Sequence, residues 1–256
     1  YLDSHEDFHN SATNFLSKYV LHKMYYNYII NKALPYVDKV LCVSYECYDF
    51  LKQLYNVPDE IMELYPLGGI LFEESVRQEK RGRIRKELML KEDDILIVHS
   101  GKMDKLKRTE DLLKAFIQVP DDRLKLILIG SMEADVKKNT DKLIVSDKRI
   151  KFLGWKSGDE LMEYLCACDL YAQPGSQSAT MQNALCCGSA AMLYSHKNYK
   201  HLLNDSVFFI NTIEDIKNVL EEISKNRESL ENKRAQTNKI AREILDYKKL
   251  AARVYR

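Results

Sequence analysis

The chain lacks several features that would narrow its class at once. No uninterrupted apolar run approaches the roughly 20 residues that span a bilayer. The first residues carry no secretory signal pattern. Lys and Arg number 39 against 38 Asp and Glu, so no global field advertises a nucleic-acid partner. The six cysteines, Cys42, Cys47, Cys166, Cys168, Cys186 and Cys187, form no CxxC pair, and several lie in apolar stretches. They read as reduced core residues of a cytoplasmic protein rather than disulfides or metal ligands. No Asp-x-Asp pair stands at a strand end to bridge a cation, so no metal is implied. Internal repeats and low-complexity linkers are also missing.

What is present is an ordinary globular composition: 45% hydrophobic, 30% charged, with 16 Tyr and one Trp. That is enough to bury a core and excludes disorder. Tyr1 to His5 reads as the end of a strand entering a loop. Helical spacing follows over 11–34 and ends near Pro35. The VDKVLCVS run at 37–44 predicts a short strand, with Ser44 capping a helix that carries Tyr48, Leu51 and Leu54. From about residue 60 the pattern alternates. Strand-length apolar runs fall at 94–99, 124–129, 150–153, 170–172, 190–194 and 207–210. Segments of helical periodicity separate most of them, among them Leu112, Leu113, Phe116 and Ile117 after the cap candidate Thr109. The expectation is an α/β fold with a parallel sheet covered by helices on both faces. Thr212 is expected to cap a helix bearing Ile213, Ile216, Leu220 and Ile223, and a second charged helix follows.

In such sheets ligands bind beyond the carboxyl ends of the strands. Several runs end in small residues there: Ser100-Gly101, Gly130-Ser131 and Gly154. The richest stretch is SGKMDKLKRTEDLLKAF, residues 100–116. Gly101 clears a path for an anion, and Lys102, Lys107 and the next helix N-terminus supply positive charge, which suits a diphosphate. Four of the seven residues from 102 to 108 are basic, so a solvated lysine-rich loop is the bland alternative. A second loop, Ser176, Gln177, Ser178, Ala179 and Thr180, offers small side chains and N–H groups at the start of a helix. It suits a phosphate or sugar hydroxyl, or else it is an N-capping cluster.

Taken in order, these segments resemble the GT-B glycosyltransferases of the family 4 type. Gly101, Lys102, Lys107, Leu112, Ala115 and Phe116 fall in register with that family's G-[R/K]-x4-K-G-x-x-x-L-x-x-A-F stretch. LKLILIGS at 124–131, IKFLGWKSGDELMEYLCACDLYAQPGS at 150–176 and ALCCGSAAML at 184–193 are similar to its later motifs. VDKVLCVS and the YPLGG around Gly68 and Gly69 match upstream ones. The resemblance covers nearly the whole chain. It implies a Rossmann-like fold, with 1–44 a remnant of an incomplete N-terminal acceptor domain. Residues 45–235 would then be the nucleotide-sugar-binding domain, and 236–256 a helix bracing the two.

The activity implied is transfer of a sugar from an NDP-sugar donor to a saccharide or lipid-linked acceptor. The resemblance further implies a retaining outcome, a role in cell-surface glycan synthesis and no cofactor besides the donor. Lys102 and Lys107 would neutralise the diphosphate and the 176–180 loop would hold the distal phosphate or sugar. Gly130, Ser131, Trp155 and Lys156 would flank the base, with Gly68 and Gly69 also in the donor site. His5, in DSHEDF, falls where the family places a histidine that reaches the transferred sugar.

One departure stands out. The family has an E-x7-E pair, whereas no acid occurs here between Asp169 and Asp205. Gln182 or Asn183 must take the ribose position, with a weaker grip than a carboxylate. This leaves a second reading open: a non-catalytic sugar-nucleotide-binding protein on a degenerate fold. A GT-B epimerase, the third, needs acidic bases that residues 174–184 do not supply. Finally, no acid lies between Asp7 and Asp38, while Lys18, Lys23 and Lys32 sit among tyrosines. Such a helix can rest on an anionic membrane, at the inner face where glycolipid acceptors are found, or pack inside the first domain.

Overall fold

The structure, a computed structural model, describes residues 1–8 and 11–254. The chain divides into two compact units, Tyr1–Leu67 and Gly68–Arg256. The division falls later than the expected 44/45. The helix capped by Ser44 belongs with the first unit because its apolar side chains, Phe50, Leu51 and Leu54, share one core cluster with Val40, Cys42 and Met62. Residues beyond 235 belong with the second.

In the first unit, β1 (Leu2–Ser4), β2 (Val40–Cys42) and β3 (Met62–Leu64) form a parallel sheet in the order β1-β2-β3. Between β1 and β2 a helix runs with widened π-type turns over Leu16–Tyr26 and regular ones over Asn27–Ala33 (α1). Pro35 lies in the single 3-10 turn that ends it. α2 (Tyr45–Tyr55) starts at Ser44, whose side chain accepts from the Cys47 N–H as expected of a cap. A buried polar chain ties α2 to the helix before it. Tyr55 Oη donates to Glu6 (3.0 Å), and so must accept from His22 Nδ1 (2.6 Å). The outer side of that helix is apolar and exposed: Phe15, Leu16, Val20, Met24, Tyr25 and Tyr28 all face solvent.

The second unit is a six-stranded, wholly parallel sheet. Its strands are β4 (Ile95–Met103), β5 (Leu124–Met132), β6 (Ile150–Phe152), β7 (Leu170–Gln173), β8 (Ala190–Tyr194) and β9 (Phe208–Ile210). The spatial order β6-β5-β4-β7-β8-β9 reverses between β4 and β7. This is the doubly wound Rossmann order, and its reversal point opens a crevice.

The central strands carry apolar runs of four or five residues because both faces are covered there. Leu96, Val98, Ile127 and Ile129 pack with α3 (Glu74–Glu87), α6 (Gly158–Ala167) and α7 (Thr180–Cys186). The alternate residues Ile95, Ile97, Leu126 and Leu128 pack with α4 (Thr109–Ile117) and α9 (Ile213–Lys225). Ser157 with Glu160 and Thr212 with Asp215 form capping boxes that start α6 and α9. α5 (Ala134–Ser146), α8 (Lys197–Leu203), α10 (Arg227–Ile240) and α11 (Tyr247–Val254) complete the unit. All six cysteines are buried and free. Among the described residues no helix is long and apolar enough to cross a membrane.

Candidate functional site

The carboxyl ends of β4, β5 and β6 approach one another through backbone alone. Gly101 pairs with Gly130, and the Gly130 N–H donates to the Gly154 carbonyl (2.8 Å). Gly130 has φ +132°, and a Cβ there would lie 2.0 Å from the Gly101 oxygen. Any side chain at 130 would force the strand ends apart.

Past β4 the chain makes a 3-10 turn over Lys105–Lys107, capped by Asp104, whose side chain accepts from the Lys107 N–H. Arg108 then adopts a left-handed conformation, φ +54°. This turn carries Lys107 into the protein, where only 8% of it is exposed. Its Nζ donates to the carbonyls of Ser176 (3.0 Å) and Gln177 (3.1 Å) in the loop after β7. Burial lowers the Lys107 pKa, and the Asp104 carboxylate offsets part of the fall. An ammonium has three N–H donors, so two bonds to the loop leave one for a ligand oxygen. The loop is held close: a Cβ on Gly175 would lie 1.9 Å from the Leu106 oxygen, which accepts from the Ser176 N–H.

Beneath this turn lies His99, completely buried. Its Nδ1 stands 2.8 Å from the Ala172 carbonyl, which can only accept, so Nδ1 carries the proton. Its Nε2 then accepts from the Thr109 hydroxyl (2.9 Å). Burial pushes the His99 pKa down to about 4, and the nearby Lys107 charge pushes the same way. The neutral ring pins β4, β7 and the start of α4 together. Thr109 is therefore not the helix cap expected of it. Arg108 occupies that position, and the threonine hydroxyl serves His99 instead.

The other expected residues divide into groups. Lys102, at the end of β4, points outward with a side chain 70% exposed and pairs with Glu133 (3.0 Å), whose carboxylate raises its pKa. Ser131 and Trp155 are also exposed. Lys156 pairs with Glu160 at 3.5 Å. Ser178 and Thr180 bond each other through their hydroxyls (3.2 Å) next to half-buried Gln177 and exposed Ala179. Gln182 is buried, and its carbonyl oxygen accepts from the Gly68 N–H (2.6 Å). Gly69 bonds the backbone of Leu245 and Tyr247. His5 belongs to the first unit, directly after β1, and its Nε2 donates to Asp3 (3.0 Å). Thus Gly101, Gly130, Lys107, Ser176 and Gln177 gather at the crevice between β4 and β7. Gly68 with Gln182 forms a second group against α7.

Sequence reasoning missed five residues around the loop: His99, Arg108, Gln173, His196 and Tyr199. Arg108 Nη1 donates to the carbonyls of Pro174 (3.2 Å) and Asn211 (2.9 Å). His99 carried a usable signal, a histidine inside an otherwise apolar strand. The others are far apart in sequence and carry none. A cavity of about 240 Å³ borders the 104–111 segment, but its four acids, Asp104, Glu110, Asp111 and Asp135, outnumber Lys105 and Arg108 and disfavour a diphosphate.

The glycosyl transferases group 1 family model matches residues 80–244. No curated protein sequence matches the chain. Among solved structures, HepE from Anabaena, in complex with UDP, aligns with a TM-score of 0.74 at 17% identity, covering 88% of this chain and 65% of its own. Sucrose-phosphate synthase from Thermosynechococcus elongatus aligns with a TM-score of 0.70 at 15% identity, over 90% of this chain and 59% of its own. WaaG, a glycosyltransferase involved in lipopolysaccharide biosynthesis, aligns with a TM-score of 0.67 at 17% identity, over 94% and 69%. The chain therefore spans about two thirds of the length of these structures, with which it shares the GT-B fold. With most of its length matched by the family model, the chain belongs to the glycosyl transferases group 1 family.

Proposed function

We propose that the chain carries the nucleotide-sugar site of a glycosyltransferase that transfers a sugar from an NDP-sugar donor to a saccharide or lipid-linked acceptor. The observation that carries this is Lys107. A buried ammonium with one donor still available stands at the strand-order reversal, beside a glycine-only opening. The complex of the similar HepE with UDP supports a nucleoside diphosphate as the ligand class. In this reading Lys107, with Lys102 swinging in from its exposed pair, stabilises the charge that develops on the diphosphate as the glycosidic bond breaks. The 176–180 loop holds the distal phosphate or the sugar. The carbonyl oxygen of Gln182 is already engaged by Gly68, so half-buried Asn183, beside Gly69, is the better placed of the two amides for a ribose diol. A retaining outcome, a role in surface-glycan synthesis at the cytoplasmic face and no cofactor besides the donor complete the proposal. The exposed aromatic and basic helix over residues 16–33 would make the peripheral contact with an anionic membrane.

One observation favours a second reading, a nucleotide-sugar-binding protein without transfer. Asp169, the last acid before Asp205, is wholly buried among arginines and offers no carboxylate to a donor. The test is calorimetric binding of UDP, GDP and ADP to the chain and to its Lys107→Ala variant, followed by a transfer assay. Micromolar binding of one nucleotide, weakened at least tenfold in the variant, is expected. Wild-type binding with no transfer to any acceptor would favour the second reading, and no binding at all would remove the donor site.

A further inference from the structure

The loop after β7 has an unusual form of support. Four consecutive carbonyls each accept from a side chain. Pro174 accepts from Arg108 Nη1 (3.2 Å) and Gly175 from His196 Nε2 (3.0 Å). Ser176 accepts from both Lys107 Nζ (3.0 Å) and Gln173 Nε2 (2.6 Å), and Gln177 from Lys107 Nζ (3.1 Å). On the donor side, the Ser178 N–H donates to the phenol oxygen of Tyr199 (3.2 Å), which also accepts from Gln173 Nε2 (2.8 Å). His196 and Tyr199 come from the start of α8, a segment distant in sequence. Their rings pack edge-on, with centroids 5.6 Å apart. Tyr199 is only 2% exposed.

We propose that Tyr199 and His196 are positioning residues for the anion site, holding the 174–178 loop from the α8 side while Lys107 and Arg108 hold it from the other. The inference rests on the donor reading above and assigns α8 a part in it. The physical reason lies in the peptide dipoles. With four carbonyl oxygens engaged by side chains, none of them can rotate toward an incoming phosphate, which they would repel. If the α8 supports are lost, the 175–176 peptide unit is held only by its Ser176 N–H on the Leu106 carbonyl and the 177–178 unit only by Lys107 on the Gln177 carbonyl, so each can tilt its N–H and C=O away from the arrangement an anion needs. The Gln173 amide cannot be reversed to compensate, because Ser176 O accepts only. Its own oxygen is buried without a hydrogen-bond partner, so the arrangement already carries one unsatisfied acceptor to keep the loop in place.

The experiment compares wild type, Tyr199→Phe, His196→Ala and His196→Gln. Tyr164→Phe serves as a control, since that buried phenol donates to Glu87 (2.8 Å) away from the loop. UDP, GDP and ADP binding, melting temperature and amide exchange over 175–180 are measured for each. Tyr199→Phe and His196→Ala are expected to weaken binding about tenfold and to speed exchange at Ser178 and Ser176 respectively. His196→Gln, which can still donate to Gly175, should recover most of the affinity. Tyr164→Phe should lower the melting temperature and leave affinity alone. Unchanged affinity in Tyr199→Phe, or an equal loss in Tyr164→Phe, would overturn the positioning role and leave the donor site standing. A wild type that binds none of the three nucleotides would sink the donor reading itself, and this inference with it.

Discussion

The two units treat apolar sequence differently. In the second, every apolar run in the sheet is sandwiched, Leu96 and Val98 into one core and Ile95 and Ile97 into the other. In the first, a three-stranded sheet and α2 share a single small core, and the helix over residues 16–33 leaves Leu16, Met24 and Tyr28 about two-thirds exposed. The contrast teaches that helix-forming sequence and apolar content do not determine burial. Burial depends on whether a second surface lies opposite, and six strands with helices on both sides supply one for the apolar runs of the central strands.

The comparison also locates where each unit is brittle, and the largest effect is expected in the second. Asp169 accepts from Arg81 (2.7 Å), Arg85 (3.1 Å) and the Leu96 N–H (2.8 Å), linking α3 to β4 and β7. Asp169→Ala leaves those largely buried arginines without their carboxylate and should cost about 3–5 kcal/mol in urea unfolding. A loss below about 1 kcal/mol would mean that α3 is held by its apolar contacts instead.

The next effect is a pH dependence. His99 is held at about pKa 4 in the folded chain against 6.5 unfolded. As pH falls through that window the unfolded state binds the proton first. The stability that the neutral ring contributes is complete above 6.5 and drains away toward pH 4, by up to about 3 kcal/mol. In His99→Asn this part of the acid sensitivity should disappear, even though the variant is weaker at pH 7. An unchanged pH profile would show that other groups titrate there.

The smallest stability effect belongs to the first unit. Leu16→Gln with Met24→Gln, on its exposed helix, should change unfolding free energy by no more than about 0.5 kcal/mol. The same pair should abolish flotation of the chain with anionic vesicles if that helix is the membrane contact. A large loss of stability would instead show that the exposed face is covered in solution.

Much of the fold was legible because it rests on local rules. Unbroken apolar runs of four or five residues between helical segments mark β4, β5 and β8, and Ser44 and Thr212 announce α2 and α9 as caps. α3 was not legible. Its fourteen residues bury only Ile84, and it is anchored by arginines that reach a carboxylate more than eighty residues away. The Thr109 expectation failed for a related reason. A threonine before a helical run fits a cap, until a buried histidine ten residues earlier claims its hydroxyl.

Around the candidate site, sequence alone determined that Gly101 and Gly130 stand at strand ends and that lysines, Lys102 and Lys107 among them, follow the first of these, which suits an anion or equally a solvated lysine-rich loop. Only the tertiary structure decided that Lys107 turns inward while Lys102 turns out. The choice is made by a 3-10 turn and by two carbonyls some seventy residues downstream, which compensate a buried ammonium that water no longer solvates.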